Sequence, residues 1–436
     1  MGTPPTVRSH AELLEMAEKA LPGGALGTRL NPDGLRMTVA SAEGSRIRDV
    51  DGTEWIDYVC GAGALILGHQ PPEVVEAVQR QAARTLHQYG SLTDVAIELA
   101  ATVVDAVPGA ERMVFATTGS EATLYAIRMA RAFTGKTKIV KFEGAFHGNH
   151  DYAGVAVSPS EPSPYPRGLP FTGGAPREVT DTMVITPYND LDRLREVVEE
   201  HLDELAGIIV EPVQRIIAPR PGFLQGLRDL CDETGLILIF DEVVTGFRLA
   251  YGGAQEKFGV TADLASYGKV IGGGGPMGAV VGKAELVDQS HPGRQGSPGY
   301  VYASGTLHGN PLGAAAGLAT LARLREPGFY DRLAGRTETL AKGLREILAR
   351  HGREAIVETV GSLWQILHMK GSPRSYSDFL NADGAANAAL DTELLRNGVN
   401  VIPNLRRFVS AAHTDEDFEL TFSALDRACR ALERQR

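Results

Sequence analysis

Leu236-Ile237-Leu238-Ile239-Phe240-Asp241-Glu242-Val243 is an unbroken apolar run that ends in two carboxylates. A run with no polar alternation predicts a strand buried on both faces, the environment of a parallel sheet covered by helices. Just upstream, Phe223, Leu227, Leu230 and Cys231 share one face of a predicted helix over 223–234, and Gly235 fits the position just past its end. Further out, Val114–Ala116, Lys138–Phe142, Thr182–Ile185 and Gly207–Val210 are short apolar runs, and Leu191–Glu204 has helical spacing. Strands and helices in alternation predict an α/β fold with a mostly parallel central sheet in its large domain.

The flanks read differently. Leu13, Leu14, Ala17 and Leu21 predict a helix over 10–21 that Pro22-Gly23-Gly24 stops. Arg36–Val39, Ser45–Asp49 and Glu54–Val59, with Asp51-Gly52 as a turn, predict a small antiparallel unit. Helices are expected over 72–86 and, rich in alanine, from Pro311 to about Arg325. The last third alternates helices with short strands, among them Thr359–His368 and Val399–Ile402. Residues 148–180 hold several Pro and Gly and no sustained period, which is long for a plain connection and suits a functional lid. The expected organisation is an N-terminal segment over 1–60 that belongs to a smaller α+β domain, a large domain over 61–310, and the rest of the small domain over 311–436.

Composition narrows the function classes. With 43 Lys+Arg against 54 Asp+Glu, the net charge is −11, and no basic stripe is present to neutralise a phosphate backbone, so a nucleic-acid partner is not expected. Cys60, Cys231 and Cys429 are scattered, without metal-ligand spacing or a disulfide framework, which suits a reducing cytosol and no metal. Met1-Gly2-Thr3-Pro4-Pro5 turns polar at once and does not read as a signal peptide, and no apolar run reaches the roughly 18–20 residues that cross a bilayer. The expectation is a cytoplasmic protein with no membrane contact.

Four segments carry chemistry. Phe115 to Ala122 is a strand end that passes through Thr117, Thr118, Gly119 and Ser120 into a helix, and exposed N–H groups at a helix start suit a phosphate dianion or an ordinary cap. Asp241 ends its apolar strand where open parallel sheets bind ligands. It suits a buried partner for a pyridine nitrogen, a cap, or a magnesium ligand, although no Gly-x-x-x-x-Gly-Lys-Ser/Thr loop accompanies it. Ser266-Tyr267-Gly268-Lys269, followed by Val270-Ile271 and Gly272 to Gly275, sets one lysine among small and apolar neighbours. Desolvation there lowers the pKa of Lys269 and makes its amine a nucleophile and base. Those glycines follow the lysine and do not link a strand to a helix as a dinucleotide fingerprint does. Tyr302 to Pro311 opens another helix with small hydroxyl and glycine residues.

In this order the segments resemble the class III, fold-type I aminotransferase family that depends on pyridoxal phosphate (PLP), in its glutamate-1-semialdehyde aminomutase branch. The resemblance runs from about Leu21 to the C-terminus. It is carried by Thr118-Gly119-Ser120-Glu121-Ala122-Thr123, Lys141-Phe142-Glu143-Gly144-Ala145-Phe146-His147-Gly148, Phe240 to Arg248 and Gly268-Lys269. It implies that Lys269 carries PLP as a Schiff base and moves the proton, while Asp241 pairs with the pyridine nitrogen. Val243 and Phe146 would cover the two ring faces, with His147 and Glu211-Pro212 beside the cofactor. Thr118, Gly119 and Ser120 would hold the phosphate, and Thr306 would reach it from the neighbouring subunit of a homodimer with its active sites at the interface.

The departures from that branch bear on substrate. A glutamate position of the aminomutase falls at or near Leu405, followed by Arg406 and Arg407, and a tryptophan position falls at Ala62. Gln214-Arg215 replaces small residues after Glu211-Pro212-Val213, and Arg29 lies near an arginine that the branch uses for the substrate carboxylate. An acid is lost, cations are added and a wall recedes. Arg29, Ala62, Arg406 and Arg407 are therefore the expected substrate contacts, with a solvated loop end as the plainer reading of the last two. The expected activity is amino transfer from a carboxylate-bearing amine, a bulky, aromatic or β-amino acid among the candidates, to a keto acid or aldehyde. The aminomutase is the alternative, and a racemase is a third possibility on the same scaffold. A catalytically silent binding protein of this fold is opposed by the intact Lys269, Asp241 and Phe146 and by the lack of an appended DNA-binding segment.

Overall fold

The computed structural model describes residues 8–27, 31–32 and 34–434. Its strands in chain order are β1 Val39–Glu43, β2 Arg46–Asp49, β3 Glu54–Asp57, β4 Arg112–Ala116, β5 Lys138–Phe142, β6 Met183–Thr186 and β7 Leu205–Val210. They continue with β8 Ile237–Asp241, β9 Leu264–Tyr267, β10 Gly278–Gly282, β11 Ile356–Val360, β12 Leu363–Leu367, β13 Val399–Asn400 and β14 Arg407–Phe408.

Seven strands form the central sheet in the order β4-β10-β9-β8-β7-β5-β6. Strands β5 to β9 pair in parallel, and β10 runs antiparallel to both β4 and β9. The apolar run that opened the sequence analysis is therefore interior, with every residue of β7 and β8 buried. Its side chains alternate between two cores. Ile237 and Ile239 share a core with Ala122, Ala126 and Met129 of the helix Gly119–Thr134, whereas Leu238 and Phe240 belong to a second core with Leu227 and Leu230 of the helix Phe223–Thr234. Gly235 ends the latter helix at φ 72°, a left-handed position where a residue without Cβ is unstrained.

The smaller domain carries two sheets. In the order β1-β2-β3-β13, residues 39–57 share a sheet with the last third of the chain, Val399 opposite Ile56. The other sheet has the order β11-β12-β14. Two local expectations need correction. The first strand lies at Val39–Glu43 rather than Arg36–Val39, because the tight turn that returns it falls at Gly44, at φ 58°. Thr359–His368 is not one strand but most of a hairpin, since Gly361 at φ 59° reverses the chain between β11 and β12. Among the described residues no helix is long and apolar enough to cross a membrane, and no group of three or more His, Cys, Asp or Glu is placed to hold a metal ion.

Candidate active site

The C-terminal ends of β4, β8 and β9 and the segments that leave them build the site. Beyond β4, Thr118 caps the helix Gly119–Thr134, its Oγ1 accepting from the Glu121 N–H at 3.1 Å. Beyond β8 comes Val243, whose N–H donates to Asp241 Oδ1 at 3.0 Å. Beyond β9 comes Gly268 and then Lys269, which sits at φ 51° at the head of a 3-10 turn. A lysine with a left-handed backbone is uncommon and marks a position fixed by its surroundings. The three segments touch. A Cβ on Gly119 would come within 2.7 Å of Val243 Cγ1, and one on Gly268 within 3.3 Å of Gly119 Cα. Only a residue without a side chain lets the helix start approach that closely.

Asp241 is buried and meets His147, whose Nδ1 lies 2.7 Å from Asp241 Oδ2. Ser266, opposite Asp241 in the sheet register, donates to Oδ1 at 3.4 Å. Glu211 accepts the Phe146 N–H at 3.0 Å. Lys269 is half-buried, and desolvation first, then the charge of Arg406, lowers its ammonium from 10.5 to about 8; Asp241 and Glu211 oppose that shift and Arg248 adds to it. The amine is thus available as a base near neutral pH.

A cavity of about 260 Å³ opens in front of Lys269. Phe146, which is 51% exposed, and Ala62 line it, together with Glu211, Arg215, Gln365 and Arg406. Its remaining wall is largely apolar, with Val157, Phe171, Phe379, Ile402 and Phe408. Arg406 is not a solvated loop end. Its guanidinium donates to the Arg215 carbonyl at 2.7 Å, and its nearest carboxylate contact is Glu211 Oε1 at 3.8 Å. Arg215 is held against the cavity by donating to the Gly144 carbonyl at 2.9 Å and to Ser158 Oγ at 2.9 Å.

Of the expected substrate contacts, Ala62 and Arg406 reach the cavity and Arg407 does not. Arg407 is buried in an ion pair with Asp391 and stacks over the Trp364 ring, because it belongs to β14, where neighbouring side chains face opposite ways. Arg29 lies outside the described residues. Thr306 is exposed and takes no part in the cavity lining. His147 meets Asp241 rather than the open cavity. Arg215, Gln365, Phe379 and Asn404 line the cavity without having been expected as contacts, and only Arg215 carried a sequence signal, as a cation where the resembled branch has small residues.

These groups fit PLP. A desolvated lysine amine faces the cavity. The buried His147 Nε2 lacks a hydrogen-bond partner among the described residues while its other nitrogen meets Asp241, and the helix start at Gly119-Ser120 packs so closely on Val243 that a Cβ at Gly119 would lie 2.7 Å from its Cγ1. Ser120 Oγ accepts from the Asn149 N–H at 3.0 Å, which leaves its own proton to donate to an anion.

Comparison with known proteins agrees. The sequence model of the class-III aminotransferase family matches residues 30–422. A glutamate-1-semialdehyde 2,1-aminomutase of Methanopyrus kandleri is 41% identical over 98% of this chain and 99% of its own. An omega-transaminase from Sphaerobacter thermophilus is 35% identical at a TM-score of 0.90, covering 98% of both chains. A glutamate-1-semialdehyde-aminomutase from Pseudomonas aeruginosa PAO1, solved in complex with PMP, is 25% identical at a TM-score of 0.85 over 96% of this chain and 93% of its own. The chain belongs to the class-III aminotransferase family, has its fold-type I architecture, and takes pyridoxal phosphate as its cofactor.

Proposed function

We propose that the chain transfers an amino group from a carboxylate-bearing amine to a keto acid or aldehyde. One observation carries this reading: a desolvated guanidinium, that of Arg406, lines the same cavity as Lys269 and has no carboxylate among the described residues closer than 3.8 Å. A cation so placed selects an anionic group on the substrate. Beside it Ala62 leaves room, and Phe171, Phe379 and Phe408 offer an apolar wall for a bulky or aromatic substituent.

PLP, when bound, supplies a carbonyl carbon that exchanges amines and a ring that takes up the electron pair left when a proton departs. The chain does the rest. Lys269 would hold the cofactor, give way to the incoming amine, and as a free amine take the proton from the amine-bearing carbon and return it elsewhere. Asp241, oriented by His147 and the Val243 N–H, would keep a positive charge on the pyridine nitrogen. Val243 and Phe146 would cover the ring faces. Thr118, Gly119 and Ser120 would bind the phosphate, with Thr306 of a second copy as a further contact, and Glu211 accepts the Phe146 N–H and so braces that residue.

A second reading is the intramolecular aminomutase. The name of the curated relative, at 41% identity, favours it over intermolecular transfer. Against it stand the cavity differences at Ala62 and Leu405-Arg406. Adding single amines to the holoenzyme while following the cofactor absorbance separates the two. Conversion of bound PLP to a stable pyridoxamine form by an α- or β-amino acid, with release of its carbonyl product, supports the aminotransferase. Reaction only with a diamino or amino-aldehyde acid, returned as its positional isomer without a second substrate, supports the mutase.

A further inference from the structure

Arg248 is among the most deeply buried cations of the described residues, 1% exposed, and no acidic side chain among them pairs with it. It leaves β8 by the same segment as Asp241 and Val243, so it belongs to the large domain. Everything it holds belongs to the cavity's other side. One amino group donates to the Gly63 carbonyl and the other to Ser362 Oγ at 2.9 Å, while the guanidinium lies 4.9 Å from the centre of the Phe408 ring.

Those three partners sit beside the cavity wall. Gly63 follows Ala62 in a run where Cys60, Gly61, Ala62 and Gly63 all have positive φ. Two of the four are not glycine, so the turn is strained and needs outside support. Gly63 also packs so closely on Phe408 that a Cβ there would lie 2.7 Å from the ring. Ser362 stands between β11 and β12, and its carbonyl accepts the Val409 N–H at 2.9 Å, next to Phe408. Ala62 and Phe408 line the cavity, whereas Arg248 itself does not reach it.

We propose that Arg248 is a positioning residue that sets the Ala62–Phe408 wall of the substrate cavity and thereby which amines fit. A guanidinium suits the task because one rigid plane donates in two directions and stacks on a ring at once. An ammonium offers the charge without the plane. The Arg248 side chain bonds to Gly63 and Ser362 and to neither Lys269 nor Asp241, and its charge is the weakest of the influences on the Lys269 amine, so a change at Arg248 alters fit before it alters reactivity.

The test uses holoenzyme and two probes that attack the cofactor's carbonyl carbon, hydroxylamine and O-benzylhydroxylamine. In each case the new carbon–nitrogen bond forms an oxime and frees the Lys269 amine. Hydroxylamine needs no wall, and the benzyl group does. Arg248→Met is expected to keep the hydroxylamine rate within about twofold and to change the rate ratio of the two probes at least fivefold, with Arg248→Lys between Met and the parent. Should Arg248→Met fail to fold, Arg248→Lys and Ser362→Ala carry the test, since each removes part of the support. An unchanged ratio, or both rates falling together with loss of bound cofactor, overturns the proposal. The readout rests on bound PLP and not on the proposed substrate, so it stands if amino transfer from a carboxylate-bearing amine is refuted.

Discussion

At the scale of single residues, the decisive quantity is the proton affinity of Lys269. Burial and the nearby Arg406 bring it from 10.5 to about 8, so its amine is half unprotonated near pH 8. Since Arg406 lowers that value, Arg406→Met should raise it and move the onset of reactivity to more alkaline pH. In cofactor-free protein, acylation of Lys269 followed by peptide mass spectrometry is expected to reach half its limiting rate near pH 8. The midpoint should rise in the variant, and a midpoint that stays or falls refutes the assignment of Arg406 as the cation beside Lys269. Lys269 and Asp241 were legible in the sequence because their neighbours report burial: an apolar strand for one, small apolar residues for the other. Arg406 and Arg407 were not separable there. Adjacent identical side chains carry no sign of direction until the pairing of β14 with β12 turns one toward the cavity and the other toward Asp391.

Elements bring the site residues together, and the tightest junction lies between the helix Gly119–Thr134 and Val243. Gly119→Ala would drive a methyl to within 2.7 Å of Val243 Cγ1, an overpacking of the kind that costs ~1–3 kcal/mol. If the strain displaces the helix start or Val243, PLP affinity should drop at least about tenfold, which corresponds to ~1.4 kcal/mol. Titration of cofactor-free protein by absorbance measures this, and unaltered affinity with a lowered melting temperature would place the cost in the fold alone. The long parallel strands and their covering helices were readable because continuous apolar runs have one structural solution. Strands β9 and β10 were not singled out. Ala265, Ser266, Gly278 and Gly282 dilute their hydrophobicity, and what makes them strands is the sheet on either side. The hairpin of β11 and β12 was read as one strand because Gly361-Ser362 is a short polar break whose effect depends on backbone conformation.

At the scale of the whole molecule, two stretches that carry exposed apolar side chains bear on assembly. Leu86, Tyr89 and Leu92 are 62%, 63% and 84% exposed, and Tyr302 and Leu307 are 61% and 45% exposed. Asn310 Nδ2 donates to the Leu86 carbonyl at 3.4 Å, which sets these two stretches side by side. Exposed apolar side chains of this kind suit the second copy proposed above, and Thr306, between Tyr302 and Leu307 in the chain, is exposed and lies outside the cavity of its own chain. The proposed contribution of Thr306 to a neighbouring site then has a quantitative consequence. Lys269→Ala and Thr306→Glu should each be inactive alone, the first for want of the amine and the second because a carboxylate repels the phosphate. In a mixed dimer, one site combines both defects and the other combines neither. Random exchange of equal amounts makes about half of the dimers mixed, so about a quarter of the sites are intact and activity returns to about a quarter of the parent's. Were Thr306 to serve its own chain, every site would keep one defect and mixing would restore nothing.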